Sequence, residues 1–528
     1  MKVFFRIEYP EINVDVKKES LGIHTANTEL LVNLIKFSRI IEEYGFVVAK
    51  PGEGRKLTQL FPDKIIRGHD FGQPSELTKV LQHYDIFFMA GYGIYDVLKC
   101  EPLFQRELSI IGITHSLSLD EIGKSLKDAS KICSRKDVLI CTSSAAKNSV
   151  QKVLGKSDYR LRLETIPFGV DIDKFRPIDK ERKKHFRRKF NLPDDATIFL
   201  HLGRLSPCHK MELTPLLKAF SDLVGLSESG GKSYLLILGR EHSPGYVKVL
   251  EALATKLNVA DKVRIVSSYD ASTIPQYYQL ADIFVSPSDN IQETFGLTVL
   301  EAMASGLPVI VTDWDGYRDT VVDGTTGFRI PTYWADCGMS WNKRFQLGQS
   351  VAMDMDRLVE SMRTLLENGA LRKTFGEAAR DHVESNFSWE RVIKRYDTLF
   401  HQAALGTRDE FIADSPRVAD SSGTSLSPTE VFRCYPTEFV GEDFHIRLRD
   451  IDGFSGYSNI LQLADGEVVN RVANLIAKKV TRVGDITQIL GRKHGIPVHE
   501  SRFQIMLMMK YGVFASANTP VTLSRASV

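Results

Sequence analysis

The chain reads as α/β, with two doubly wound parallel-sheet domains and a smaller unit after them. Length is the first reason, since 528 residues exceed one ordinary core and predict two or three domains. The second is an alternation of short apolar runs with helix-patterned stretches, which implies parallel strands covered on both faces. The third is Thr165-Ile166-Pro167-Phe168-Gly169-Val170-Asp171, where Pro and Gly interrupt regular structure and mark a passage between two such halves.

Val3 to Ile7 opens the first sheet. Leu21 to Asn27 reads as a loop, and Leu30, Leu34, Phe37 and Ile41 mark a helix ending at Gly45. Further strands are predicted at Phe46–Ala49, Asp85–Met89, Ser109–Ile113 and Asp137–Cys141. In the second half, Phe199 to Leu202 is an apolar strand that breaks into Gly203, and strands follow at Tyr234–Gly239 and Lys262–Val266. Ala281 to Ser288 is a short buried strand closed by Pro and Ser, and Gly306 to Thr312 is another. Leu297 to Ser305 is rich in helix formers and stops at Gly306-Leu307-Pro308. An aromatic insertion between Thr332 and Val351 has little periodicity and suits either a cap over a cleft or a packed surface loop. Met355 to Leu366 is helical, and Ser388 caps a helix carrying Val392, Tyr396 and Leu399.

The chemistry gathers around Glu293-Thr294-Phe295-Gly296-Leu297-Thr298-Val299-Leu300-Glu301. Glu293 falls in a loop above a strand, while Gly296, Leu297 and Thr298 open a helix whose amides suit a diphosphate. Two carboxylates alone would be solvated surface glutamates. Here Arg204 and Lys210 stand six residues apart just beyond another strand, a planar fork and a point charge for phosphate oxygens. An ionised carboxylate such as Glu301 accepts two hydroxyls at once, which suits a diol. His115, in Thr114-His115-Ser116-Leu117, closes a strand of the first half, where a doubly wound sheet exposes its functional loops. As a lone histidine it fits a structural role as well as a site role.

These segments, with Gly203-Arg204-Leu205 through Lys210, the paired glutamates and Asp323-Gly324-Thr325-Thr326-Gly327-Phe328, resemble glycosyltransferase family 4, retaining enzymes of the GT-B fold. The likeness extends through Pro167 to Pro177 and the Phe387-Ser388-Trp389 helix start, and covers roughly residues 1 to 402. It implies two Rossmann-like doubly wound domains facing a cleft: an acceptor-side domain over 1–165, a nucleotide-sugar domain over 166–385, and a helix over 386–404 that crosses back. It also implies roles. Arg204 and Lys210 resemble the diphosphate pair, helped by Gly203 and the amides near Gly296, Leu297 and Thr298. Glu301 resembles the ribose acceptor, Glu293 the contact to the donor sugar, and His115 a hydrogen-bonding group on that sugar. No metal and no cofactor are implied beyond a nucleotide-diphosphate sugar as co-substrate, a UDP- or GDP-sugar first, with a hexosyl unit transferred by same-face attack. The family's double-glycine loop after the first strand is here a single Gly22, so no acceptor role is carried onto it.

The composition is that of a soluble globular protein, 43% hydrophobic and 25% charged with net charge +2. Without a signal-peptide pattern or a bilayer-length apolar stretch, a cytoplasmic place is expected, with peripheral membrane contact open. Cysteines at 100, 133, 141, 208, 337 and 434 have no metal-ligand spacing. Residues 405–430 read as a linker, and 431–528 as an accessory α+β or winged-helix-like module, helical over Val468–Lys479, Asp485–His494 and Ser501–Tyr511. The extension is acidic to residue 467 and basic beyond it. Met506 to Met509 read as core rather than as a peptide groove. A peptide or protein contact through 431–528 fits; nucleic acid is not the expected partner. The acceptor is left open among glycan, lipid carrier, small molecule and peptide. The rival reading is a nucleotide-sugar-binding regulator whose basic module holds a peptide or nucleic acid. A sugar phosphorylase ranks last, since no motif places its pyridoxal cofactor.

Overall fold

The computed structural model describes residues 1–6, 22–47, 58–69, 79–91, 94–98, 108–118, 120–134, 136–155, 161–405, 426–450 and 463–518. It divides into two compact units, Met1–Asp171 with Ser385–Leu426, and Ile172–Glu384 with Ser427–Val528.

In the first unit the described strands are β1 (Lys2–Arg6), β2 (Glu43–Val47), β3 (Ile65–His69), β4 (Ile86–Met89), β5 (Ser109–Ile113), β6 (Val138–Cys141) and β7 (Arg162–Thr165). They run parallel in the order β3-β2-β1-β4-β5-β6-β7. Phe4 and Phe87 stack at 5.6 Å within this sheet. The helix Trp389–Leu405 packs here, with Tyr396 and Phe400 edge-on to Phe88 at 6.2 and 5.9 Å. Ser109 Oγ donates to its Ala403 carbonyl at 2.8 Å. The passage at Gly169 is tight, because a Cβ there would lie 2.5 Å from the Trp389 ring.

Two sequence readings fail in this unit. The stretch expected as a loop is helical from Gly22, and that helix ends at Phe37, not at Gly45. Gly45 sits inside β2, paired with Phe4 and Arg67. It serves there as space: a Cβ would meet the Tyr84 ring at 2.4 Å. Ile41, the last residue of the apparent helical stripe, is buried beyond the helix end. The expected ends at Ile7 and Ala49 lie outside the described residues.

The second unit contains β8 (Thr197–Leu202), β9 (Ser233–Leu238), β10 (Val263–Val266), β11 (Ile283–Ser286), β12 (Val309–Thr312) and β13 (Gly327–Ile330), parallel in the order β10-β9-β8-β11-β12-β13. Phe199, Leu200, Phe284, Val285, Val309 and Ile310 are all fully buried. Continuous apolar runs are what helices on both faces of a parallel sheet require. The sheet order reverses between β8 and β11, and the carboxyl ends at such a switch point are where open parallel sheets bind their ligands.

The described residues of the extension, 427–450 and 463–518, belong to this second unit. The aromatic insertion supplies β14 (Thr332–Trp334) and β15 (Val351–Met353), and β14 pairs in parallel with β16 (Glu438–Phe439) of the extension. Trp334 is fully buried, and Trp314 lies between it and Tyr435, at 5.9 and 5.5 Å. The insertion therefore seats the extension. Helices follow at Gly466–Ala477, Val483–His494 and Val498–Lys510, and β17 (Ile446–Leu448) pairs antiparallel with β18 (Phe514–Ser516). Met506 to Met509 are core. Arg449 reaches Asp356 at 2.6 Å and Asp222 at 3.0 Å, joining the extension to the helices Met355–Glu367 and Thr214–Leu226. Residues 406–425 of the expected linker lie outside the described residues.

Candidate functional site

The candidate residues of the second unit meet at the carboxyl ends of β8 and β11. After β8 the chain turns at Gly203, whose N–H donates to the Leu238 carbonyl at 3.0 Å. Leu205 N donates to the Arg240 carbonyl at 2.9 Å, and Lys210 N returns to the Ser206 carbonyl at 3.1 Å. Ser206 Oγ meets Ser243 Oγ at 2.8 Å. These bonds fold residues 203–210 into a short, tethered loop.

After β11, Asn290 organises the second loop. Its side chain donates to the Cys208 carbonyl at 2.9 Å, and its own carbonyl accepts from Glu293 N and Trp314 Nε1, each at 3.1 Å. The two loops are thereby joined, and their charged side chains pair: Lys210 Nζ bonds the Glu293 carboxylate. Glu293 is buried, and Tyr317 OH approaches the same carboxylate oxygen at 3.5 Å while meeting Ser286 Oγ at 2.8 Å. Arg204 donates to the His209 carbonyl at 3.4 Å. Burial lowers its pKa, and the Glu293 charge acts in the opposite direction.

Gly296 has φ +89, the left-handed region that favours glycine, and its missing Cβ would stand 2.1 Å from the Tyr317 ring. From there the helix Leu297–Ala304 begins, its Leu297 and Thr298 half-buried. One turn further in, Glu301 accepts from Tyr278 OH at 2.7 Å, and Tyr278 OH lies 3.2 Å from the Thr298 carbonyl. Tyr278 is fully buried, and burial followed by the Glu301 charge raises its phenol well above the ordinary value. It therefore stays a donor to the carboxylate.

The first unit holds His115 beyond β5, stacked on Phe168 at 5.5 Å. Burial lowers its pKa to about 4, against a hydrogen bond with the Ala90 backbone that raises it. It is a neutral imidazole at physiological pH. Ala90 follows β4, beside the switch point between β1 and β4, and its carbonyl accepts from buried Asn27 at 3.2 Å.

Sequence reasoning did not anticipate Tyr278, Tyr317, Asn290, His201 or Asn27. His201 is fully buried behind Gly203, with Nδ1 3.0 Å from the Val285 carbonyl. Its position inside an apolar strand was a signal, since a buried strand admits a histidine only with a partner. The tyrosines gave none, because their partners are 20 to 31 residues away in sequence.

Comparison with solved structures decides the architecture. HepE from Anabaena in complex with UDP superposes with a TM-score of 0.56 at 17% identity, covering 76% of this chain and all of that one. The sucrose-phosphate synthase of Thermosynechococcus elongatus gives 0.54 at 19% identity over 76% of this chain and 99% of its own. The fold is GT-B.

Residues 182–337 match the family model of glycosyl transferases group 1, and this span contains Arg204, Lys210, Glu293 and Glu301. A D-inositol 3-phosphate glycosyltransferase of Catenulispora acidiphila is 36% identical over 169 residues, 31% of this chain and 38% of that protein. Its counterpart in Corynebacterium efficiens is 24% identical over 357 residues, 66% of this chain and 76% of that protein. The chain spans 38%, 52% and 58% of the length of three such relatives. Among the described residues, no helix is long and apolar enough to cross a membrane.

Proposed function

We propose that this protein is a retaining glycosyltransferase of family 4 that moves a hexosyl unit from a nucleotide-diphosphate sugar to an acceptor nucleophile without a bound metal. The Lys210–Glu293 pair carries the reading. It joins the loops on either side of the switch point, the place where an open parallel sheet takes its ligand. In the proposed complex the diphosphate lies on Lys210, Arg204 and the amides of Leu297 and Thr298. It draws the ammonium from Glu293, and the released carboxylate accepts sugar hydroxyls. Glu301, oriented by Tyr278, accepts the ribose hydroxyls.

Charge developing on the leaving diphosphate then meets fixed cations and amides, the arrangement that lowers such a barrier. Retention would follow from same-face attack, with the departing phosphate taking the acceptor proton. His115 is assigned to the sugar on the family pattern, and a neutral imidazole suits hydroxyl recognition. UDP is the nucleotide favoured, supported by the UDP complexes of HepE. The curated relatives named for D-inositol 3-phosphate support sugar transfer more strongly than that acceptor, because two of them align with 31% and 51% of the chain.

Calorimetric titration with UDP and GDP tests the nucleotide half. UDP is expected to bind, and Glu301→Ala to weaken it about tenfold, the worth of a hydrogen bond to a charged group. No binding of either nucleotide at millimolar concentration would contradict the proposal.

A further inference from the structure

The C-terminal extension reaches the candidate donor site from behind. Lys510, last residue of the helix Val498–Lys510, is 1% exposed, and its Nζ bonds the Asp289 carboxylate and the carbonyls of Gly348 and Val351, the last two at 2.7 and 3.3 Å. Asp289 begins the segment that leads through Asn290 to Glu293. The same Asp289 Oδ2 accepts from Glu212 N at 3.3 Å, two residues beyond Lys210. The next residue of the extension, Tyr511, donates to Gln349 Oε1 at 2.8 Å and lies 3.4 Å from Glu212 Oε2. Glu212 Oε1 in turn accepts from Tyr246 OH at 2.6 Å and Thr214 N at 3.1 Å.

A second line of contact is independent of Lys510. Tyr435 stands edge-on to Trp314 at 5.5 Å, and Trp314 Nε1 holds the Asn290 carbonyl. Thr437 Oγ1 donates to Asp313 Oδ2 at 2.8 Å, and Arg318 donates to the Cys434 carbonyl at 2.8 Å. These bonds bracket Tyr317, the residue that approaches Glu293. The three segments bearing Lys210, Glu293 and Tyr317 are thus each tied to the extension.

Resting on the glycosyltransferase reading, we propose that the extension is a built-in part of the donor site and that Lys510 is its positioning residue, setting the Asp289–Glu293 segment through Asp289. A buried ammonium that satisfies one carboxylate and two carbonyls fixes their relative places more narrowly than apolar packing does. Displacement of Glu293 by a fraction of an ångström costs transition-state contacts before it costs ground-state nucleotide binding.

The test uses the full chain. Lys510→Met alone leaves a buried carboxylate unpaired and risks unfolding. The working variant is Lys510→Met with Asp289→Asn, which removes both charges and keeps the volumes. Nucleotide release from the donor sugar is expected to fall tenfold or more in kcat, with the Kd for UDP within threefold of wild type and an unchanged fold by circular dichroism. Tyr511→Phe should give a smaller loss of the same kind. Hydrogen exchange of the 208–213 and 289–296 backbone should quicken, with the β9 and β10 strands unaffected. That arm does not depend on turnover. If the wild-type protein releases no nucleotide from any donor, the glycosyltransferase reading falls while exchange still reads the coupling. Wild-type kcat in the double variant, or unchanged exchange at 289–296, overturns the role of Lys510.

Discussion

His201 shows how one buried side chain sets a pH response. Burial lowers its pKa from 6.5 to about 4, with the Val285 carbonyl opposing and Lys210 reinforcing the shift. The unfolded chain takes up this proton as pH falls through 6.5, whereas the folded imidazole stays neutral until about 4. Its contribution to stability is therefore full above 6.5 and declines with acidification across that window, by at most about 1.4 kcal/mol per pH unit. Asp289 acts with opposite sign, since burial raises its carboxyl to about 6. The two separate in a difference measurement: the melting temperature of His201→Asn should fall less than that of wild type between pH 7 and pH 5. Parallel declines would contradict the assignment. The spacing of Arg204, Lys210, Glu293 and Glu301 was legible in the sequence, and the fold brings Lys210 onto Glu293 and Tyr278 onto Glu301. Sequence could not mark Tyr278, Tyr317 or Asn290, whose roles come from hydrogen bonds made only once the sheet order is set.

Among the elements, the helix that starts at Leu297 depends on the turn before it. Gly296→Ala would place a methyl 2.1 Å from the Tyr317 ring in a left-handed backbone, and Tyr317 is itself fully buried. The strained backbone alone costs about 1–2 kcal/mol, and ring displacement adds to it. The variant is expected to melt several degrees lower and to lose donor turnover more than tenfold. Normal melting with normal turnover would show that the turn is not part of the site. The apolar strands at Phe199, Tyr234 and Ala281 were legible because buried parallel strands have no polar face to disguise them. The first helix was misread for a physical reason: Gly45 looked like a stop, yet it is a strand residue that makes room for Tyr84. Glycine signals a demand on backbone or space, and sequence alone does not say which.

For the whole molecule, the second unit includes the extension, and a buried ion network carries much of that union. Arg449 bonds Asp356 and Asp222, Lys218 bonds Asp222 and Asp450, and Arg447 joins Asp356. Arg449→Ala leaves Asp222 to Lys218 and Asp356 to Arg447, each carboxylate with one cation fewer, and is expected to destabilise this unit by about 1.5–3 kcal/mol, read by chemical denaturation of the full chain. A change within 0.5 kcal/mol, about the scatter of surface substitutions, would show that the network is solvated. The architecture of 1–402 was legible from strand alternation and motif order. The seat of the extension was not, since it is built from contacts distant in sequence, among them the β14–β16 pairing, the Arg449 ion network and Lys510, whose partners lie 159 to 221 residues away. A basic C-terminal run reads as a binding face, but its most buried member, Lys510, points into the protein.

The proposed function places a sugar nucleotide on the second unit, held by its diphosphate and ribose. Nucleotide release from a panel of UDP-, GDP-, ADP- and dTDP-sugars tests it most directly, comparing the intact protein with Lys210→Ala and Glu301→Ala. Slow release from one donor is expected, a UDP-sugar first, reduced at least a hundredfold by Lys210→Ala and about tenfold or more by Glu301→Ala. Release that persists unchanged in both variants would contradict the proposed function.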